Sequence, residues 1–343
     1  MPHAMRRCFF CRFSKGVQMK IRNMLLLLFF GILLTSCLNE ASHPVYEDFL
    51  CSVNTDGTGF TQVCRFNELP FEPSDVSDLN ATRDGKLIFS SRQYYITDPD
   101  IIAPIPLSDL SYSGNLTISN DDKLYYCNNG DLYQYDLYSQ VQTDLTENYD
   151  GFLSNPIISN DNSIITMVKV TQDSTHASSL CYYRITDSSL HILPEAGTFI
   201  QRGIYNHLNH IIYYEQGNGL YRINLDGTQN TQLLTYNSLA FQSFGLSVNN
   251  DNLVTLDDSG VFSLFNITGE SITYNIQLSL PLMKVKLAMN SNLVFYVWNG
   301  YIYSYNIDHQ TTFKIPNTAG VNLIMCPNWD GTKVYFKAPV RIN

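Results

Sequence analysis

The chain is short of several things that would each point to a different protein class. It has only 2 Trp and 8 Met among its 343 residues, and its 21 basic side chains are outnumbered by 31 acidic ones. No His-x-x-x-His pair, Gly-x-Ser-x-Gly elbow or phosphate-cradling glycine loop occurs, so zincin, serine-hydrolase and nucleotide-binding chemistries lack their usual local signature. Nor is there an apolar run long enough for a membrane-spanning helix: the longest, Met24 to Leu34, has eleven residues where about 20 are needed. Six of the basic residues (Arg6, Arg7, Arg12, Lys15, Lys20 and Arg22) precede Cys37, and no acidic residue does. The chain beyond Cys37 is therefore strongly acidic and carries no basic stripe, which excludes a nucleic-acid partner.

The residues that are plentiful point to sheet. Apolar residues make up 44% of the chain, enough for a sizeable core, and the aromatic share of 13% is carried by 23 Tyr and 19 Phe, residues that pack well on a pleated surface. A polar turn rich in Asn, Asp and Gly, leading into a β-type run, recurs seven times. The copies are Arg83-Asp84-Gly85, Asn120-Asp121-Asp122, Asn160-Asp161-Asn162, Asn206-His207-Leu208-Asn209, Asn249-Asn250-Asp251-Asn252, Asn290-Ser291-Asn292 and Trp329-Asp330-Gly331. Their spacing averages about 41 residues, the length of a four-stranded propeller blade and longer than ankyrin, leucine-rich or tetratricopeptide units.

A second motif alternates with the first, as in Tyr133 to Asp136, Tyr221 to Asn224 and Tyr303 to Asn306. Its fullest copy runs on into Asn224-Leu225-Asp226-Gly227-Thr228, where Asp-Gly suits a tight hairpin. Asn54-Thr55-Asp56-Gly57-Thr58 is nearly the same string, yet it stands before any first-strand turn. The C-terminus, conversely, ends after two strands. The expectation is an all-β, seven-bladed β-propeller of four-stranded blades over 45–343, its ring closed by N- and C-terminal strands that share one blade.

Two resemblances add to this reading. Leu34-Thr35-Ser36-Cys37, at the end of the eleven-residue apolar run, resembles the lipobox of bacterial lipoproteins. That resemblance implies a signal peptide over 1–36, with Met19 as an alternative start, cleavage before Cys37, and a lipid-anchored tether over 37–44. Acyl chains on Cys37 would supply stable anchoring to a lipid bilayer. Leu38 rather than Asp after the cysteine implies the outer membrane of the cell envelope. The body, from about Tyr46 to Val340, resembles TolB-like and YWTD-type propeller repeats, on Ile211-Ile212-Tyr213-Tyr214 and Leu220 to Thr228 with Leu233 beyond. The proline common in TolB-like turns is absent, and the chain has no room for TolB's separate α/β domain, so a TolB partner set does not transfer.

The register also yields site expectations. Loops joining second to third strands, and blade to blade, share one face and are freed from the packing of the repeat. They carry Tyr149, Asp150, Phe199, Arg202, Glu215, Gln216, Asp257, Asp258, Trp298 and Asn299, Trp298 being one of only two tryptophans. The expected binding residues are Trp298, Asp257, Asp258, Glu215, Tyr149, Asp150 and Arg202, recognising a protein or glycan. A propeller enzyme cleaving a polysaccharide, with carboxylates gathered in the central channel, is the alternative. The Asn-Asp clusters read as turn chemistry rather than Ca²⁺ loops, and the His207 and His210 pair as turn residues. No metal or cofactor is expected. Cys51 and Cys64 flank the first hairpin and are candidates for a disulfide, with sheltered thiols as the alternative.

Overall fold

The computed structural model describes residues 45–342 apart from 71–75, 92, 101–103, 112–115, 148, 150, 172–176, 236–240, 248, 258, 279–284 and 322–323; the side chains of 108–111, 195 and 241–243 are also undescribed. The segments expected as signal peptide and tether, with Cys37, thus lie outside the described residues. The chain divides into a propeller unit, Glu47–Val340, and a second unit made of Met1–Tyr46 with Arg341–Asn343.

The propeller consists of seven four-stranded antiparallel sheets. Blades 1 to 6 are consecutive in sequence, with inner strands Asp78–Ala81, Leu116–Ile118, Phe152–Ile158, Ile200–Asn206, Phe241–Leu246 and Val285–Leu287. Blade 7 takes its two inner strands, Met325–Pro327 and Lys333–Ile342, from the C-terminus and its two outer ones, Val45–Asn54 and Thr61–Arg65, from the N-terminus. The ring therefore closes as expected, with Lys333–Ile342 paired to Val45–Asn54. Across that seam the Lys337 ammonium meets Asp48 at 3.0 Å.

Period-two alternation explains why the second strands read as unbroken apolar runs. In Lys123–Asn128, Leu124 and Tyr126 join the cluster packed against blade 1, while Tyr125 and Cys127 join the one against blade 3. Ile212 and Tyr214 likewise face blade 3 and Tyr213 faces blade 5. A strand buried on both faces has no polar face to alternate with. Three blades add the same cross-strand tyrosine pair, Tyr126 with Tyr133, Tyr214 with Tyr221 and Tyr296 with Tyr303, each stacked at 5.4 to 5.6 Å. Such a pair contributes about 0.5–1.5 kcal/mol beyond burial.

The Asn-Asp turns serve the backbone. Asp122, Asn162 and Asn250 hold φ near 56°, 59° and 55°, the left-handed region those residues tolerate. They also clasp neighbouring blades: Arg83 N donates to Asp122 Oδ1 at 2.7 Å, Asn120 N to Asn162 Oδ1 at 3.0 Å, and Asn206 Nδ2 to the Asn250 carbonyl at 2.7 Å. His210 sits in such a turn with φ 60°, its Nδ1 2.7 Å from the Tyr205 hydroxyl, so the turn reading of the histidine pair agrees with its surroundings.

Candidate binding site

The inner strands of all seven blades enclose a central cavity of about 360 Å³. Its walls mix Ile157, Ile204, Phe244 and Leu246 with Asn80, Thr117, Asn155 and Asn160, and its charged lining residues are Asp78, Lys286 and Arg202. Two cross-channel ties close parts of it. The Lys286 ammonium, from blade 6, donates to Asp78 Oδ2 at 2.8 Å and Asn80 Oδ1 at 2.9 Å on blade 1. At the end bearing the Asn-Asp turns, Asn160 Nδ2 donates to the Ser247 carbonyl at 3.0 Å.

The opposite face bears the turns between second and third strands and the connections between blades, and the residues anticipated for binding sit there in different situations. Arg202 and Glu215 are brought together: they are direct partners across the first two strands of blade 4, with Nε 3.5 Å from Oε2. Glu215 is not a loop residue but lies buried near the end of its strand. Burial lowers the Arg202 pKa and the Glu215 carboxylate partly restores it. Asp257 is also buried, its Oδ1 accepting from Ser259 Oγ at 2.8 Å and Val261 N at 2.7 Å, so this carboxylate caps its own hairpin. Trp298 ends its strand and pairs with Tyr301; its half-buried indole packs on Tyr303 at 5.5 Å. Tyr149 stacks under the Lys169 ammonium at 5.0 Å. Asp150 and Asp258 lie outside the described residues.

The exposed apolar rings on this face are instead Phe199, 63% exposed, and Phe152, 43% exposed, at equivalent positions where the inner strands of blades 4 and 3 begin. Phe199 holds φ 63°, a conformation costly for a bulky L-residue. The sequence register places Phe199 on this face, but the signal it offers for an anchor is rarity, and rarity favours Trp298.

Cys51 and Cys64 are free thiols. The register pairs Cys64 with Leu50, and Cys51 with Gln62 beyond an irregularity, so the two cysteines are not opposite one another, and of the two readings the structure has the sheltered thiols. Burial pushes Cys51 up to about 12 and Cys64 up to about 11, as befits sheltered thiols.

Among the described residues no three His, Cys, Asp or Glu side chains are grouped so as to hold a metal ion. No family model matches the chain, and no curated protein matches it. Among solved structures, an oligogalacturonate lyase in complex with manganese is similar at a TM-score of 0.55 and 16% identity, over 79% of this chain and 86% of that one. A protein described as TolB from Agrobacterium tumefaciens is similar at a TM-score of 0.49 and 13% identity, over 87% of this chain and all of that one. The likeness to the lyase shows the propeller fold.

Proposed function

We propose that this chain is a lipid-anchored, non-enzymatic binding module of the cell envelope, which engages a protein partner through the face bearing Phe199. The observation that carries the reading is Phe199 itself, a large apolar ring held mostly in solvent at a left-handed backbone position. Strain of this kind persists where the surroundings impose it and is concentrated at binding and switch sites. Exposed aromatic side chains of this type are the usual energetic anchors of protein interfaces. Phe152 supplies a second ring on the neighbouring blade. Cys37, at the end of a basic and then apolar leader, supports the anchor.

The alternative, a polysaccharide-cleaving enzyme, would need a pair of carboxylates or a metal centre in the channel. Asp78 is the carboxylate among the described lining residues, and Lys286 already neutralises it. The manganese named with the lyase has no matching donor set of His, Cys, Asp or Glu among the described residues.

One experiment tests both halves: cells are labelled with a palmitate analogue, and the protein is recovered with whatever it holds after crosslinking in the native envelope. The wild type should be labelled and bring down a protein partner. Cys37→Ala should lose the label, and Phe199→Gly should keep the label but lose the partner. Equal labelling of Cys37→Ala would refute the anchor, and full retention by Phe199→Gly would place the interface elsewhere.

A further inference from the structure

The channel departs from the charge balance of the chain. Arg202 and Lys286 line it against Asp78, so cations outnumber carboxylates among its described walls although the chain as a whole carries a net charge of −10. The two cations are not equivalent. Lys286 is committed to Asp78 and Asn80 across the channel. Arg202 is held at one end only.

Its Nε is buried against Glu215, whose side chain is 2% exposed and which faces it in the strand ladder. Its two Nη groups donate to no described residue, and the side chain, 23% exposed, lines the cavity. A guanidinium presents five N–H groups in one plane and keeps its charge in a protein. With Nε 3.5 Å from a buried carboxylate, an ion pair without a hydrogen bond, the Nη pair is left as a fork. That fork matches the two oxygens of a carboxylate, the geometry of a bidentate, charge-assisted pair.

We propose that the central channel is a binding site for a small organic carboxylate, taken end-on by Nη1 and Nη2 of Arg202. The cavity of about 360 Å³ lies within the range of small-molecule sites. Ile157, Ile204 and Phe244 offer apolar wall to the body of such a ligand. A monoanion suits the site better than a phosphate dianion: the second cation of the channel is already spent, and Asp78 would repel further negative charge. The site shares no anchor with the partner face proposed above, since Phe199 and Phe152 are not among the residues that line the cavity.

The acid can come from a free metabolite or from the end of a peptide, and matched probes separate the two. Calorimetric titration of the full chain in detergent would compare benzoate with benzamide, and N-acetylalanylalanine with its C-terminal amide. At least one acid should bind tenfold or more tightly than its own neutral amide, and which pair shows the preference identifies the source. Arg202→Lys, which keeps a cation beside Glu215 but loses the fork, should weaken that acid at least tenfold with little change in melting temperature. Arg202→Met should abolish binding. No preference for either acid over its amide, or wild-type affinity in a folded Arg202→Lys protein, would overturn the proposal.

Discussion

Phe199 separates two quantities that usually travel together, the size of an apolar side chain and its worth to stability. Its ring is mostly in water, so removing it forfeits little burial, whereas its backbone sits in the left-handed region at a cost of about 1–2 kcal/mol for an L-residue. Glycine relieves that cost but gives back about 0.5–1 kcal/mol through the freer unfolded chain. Phe199→Gly is therefore expected to unfold in urea within about 1 kcal/mol of wild type, on either side. Phe89→Ala, at a fully buried ring, should lose about 3–5 kcal/mol. A loss as large for Phe199→Gly would mean that the ring packs in solution, and would remove its claim to be an interface anchor. The same scale marks what a sequence can and cannot convey about the site. Arg202 and Glu215 are recognisable as members of one face, but their pairing depends on a register irregularity between Ile200 and Arg202 that no pattern announces. Asp257 looks available in the sequence because nothing in its neighbours reveals that Ser259 and Val261 consume it.

At the scale of elements, one five-residue string does the same job in three places. In Asn54–Thr58, Asn224–Thr228 and Asn328–Thr332, the aspartate Oδ1 accepts from both the backbone N and the hydroxyl of the threonine, and the asparagine amide donates to that hydroxyl. Gly57, Gly227 and Gly331 hold φ of 86°, 83° and 73° at the crest. The threonine bonds, the hydroxyl first, lower the pKa of Asp56, Asp226 and Asp330 below the ordinary 3.8. A carboxylate whose folded pKa is depressed contributes stability that is fully present above the unfolded value and is lost as pH falls through the folded one. These hairpins should therefore add to acid destabilisation below about pH 4. The triple variant Asp56→Asn, Asp226→Asn, Asp330→Asn should lose melting temperature less steeply than wild type between about pH 4 and 2, while parallelling it above about pH 6. Identical acid limbs would show that these turns do not report on folding. Such turns and the doubly buried second strands are legible in the sequence because both carry strong residue preferences. Inner strands of three residues, such as Leu116–Ile118 and Val285–Leu287, and exposed outer ones such as Thr311–Lys314 leave almost no periodic signal.

At the scale of the whole molecule, the ring is a single closed cycle of blade-to-blade contacts, and its weakest topological point is the blade built from both ends of the chain. The displaced hairpin at Asn54 makes this closure readable from sequence alone, since it repeats the third-strand string of Asn224–Thr228 ahead of the first of the seven recurring turns. In the folded ring, Leu50 of the first N-terminal strand and Phe66, just beyond the second, share a buried cluster with Cys326 and Tyr335 from the C-terminal strands and with Leu79, Leu87 and Phe89 of blade 1. Ending the chain at Gly320 would remove Met325, Val334 and Phe336, all fully buried, at about 1.5–3 kcal/mol each. It would also leave the strand Val45–Asn54 with an unpaired edge, and blade 1 with one face open. In a domain of this size each kcal/mol is worth about 2–4 °C, so the truncated protein should melt roughly 10 °C or more below the full ring, or aggregate before it melts. Light scattering and calorimetry on the two proteins distinguish these outcomes. A truncated chain that stayed monomeric with an unchanged melting temperature would mean that the six consecutive blades hold their curvature unaided and that the shared blade is an attachment to the ring instead of its clasp.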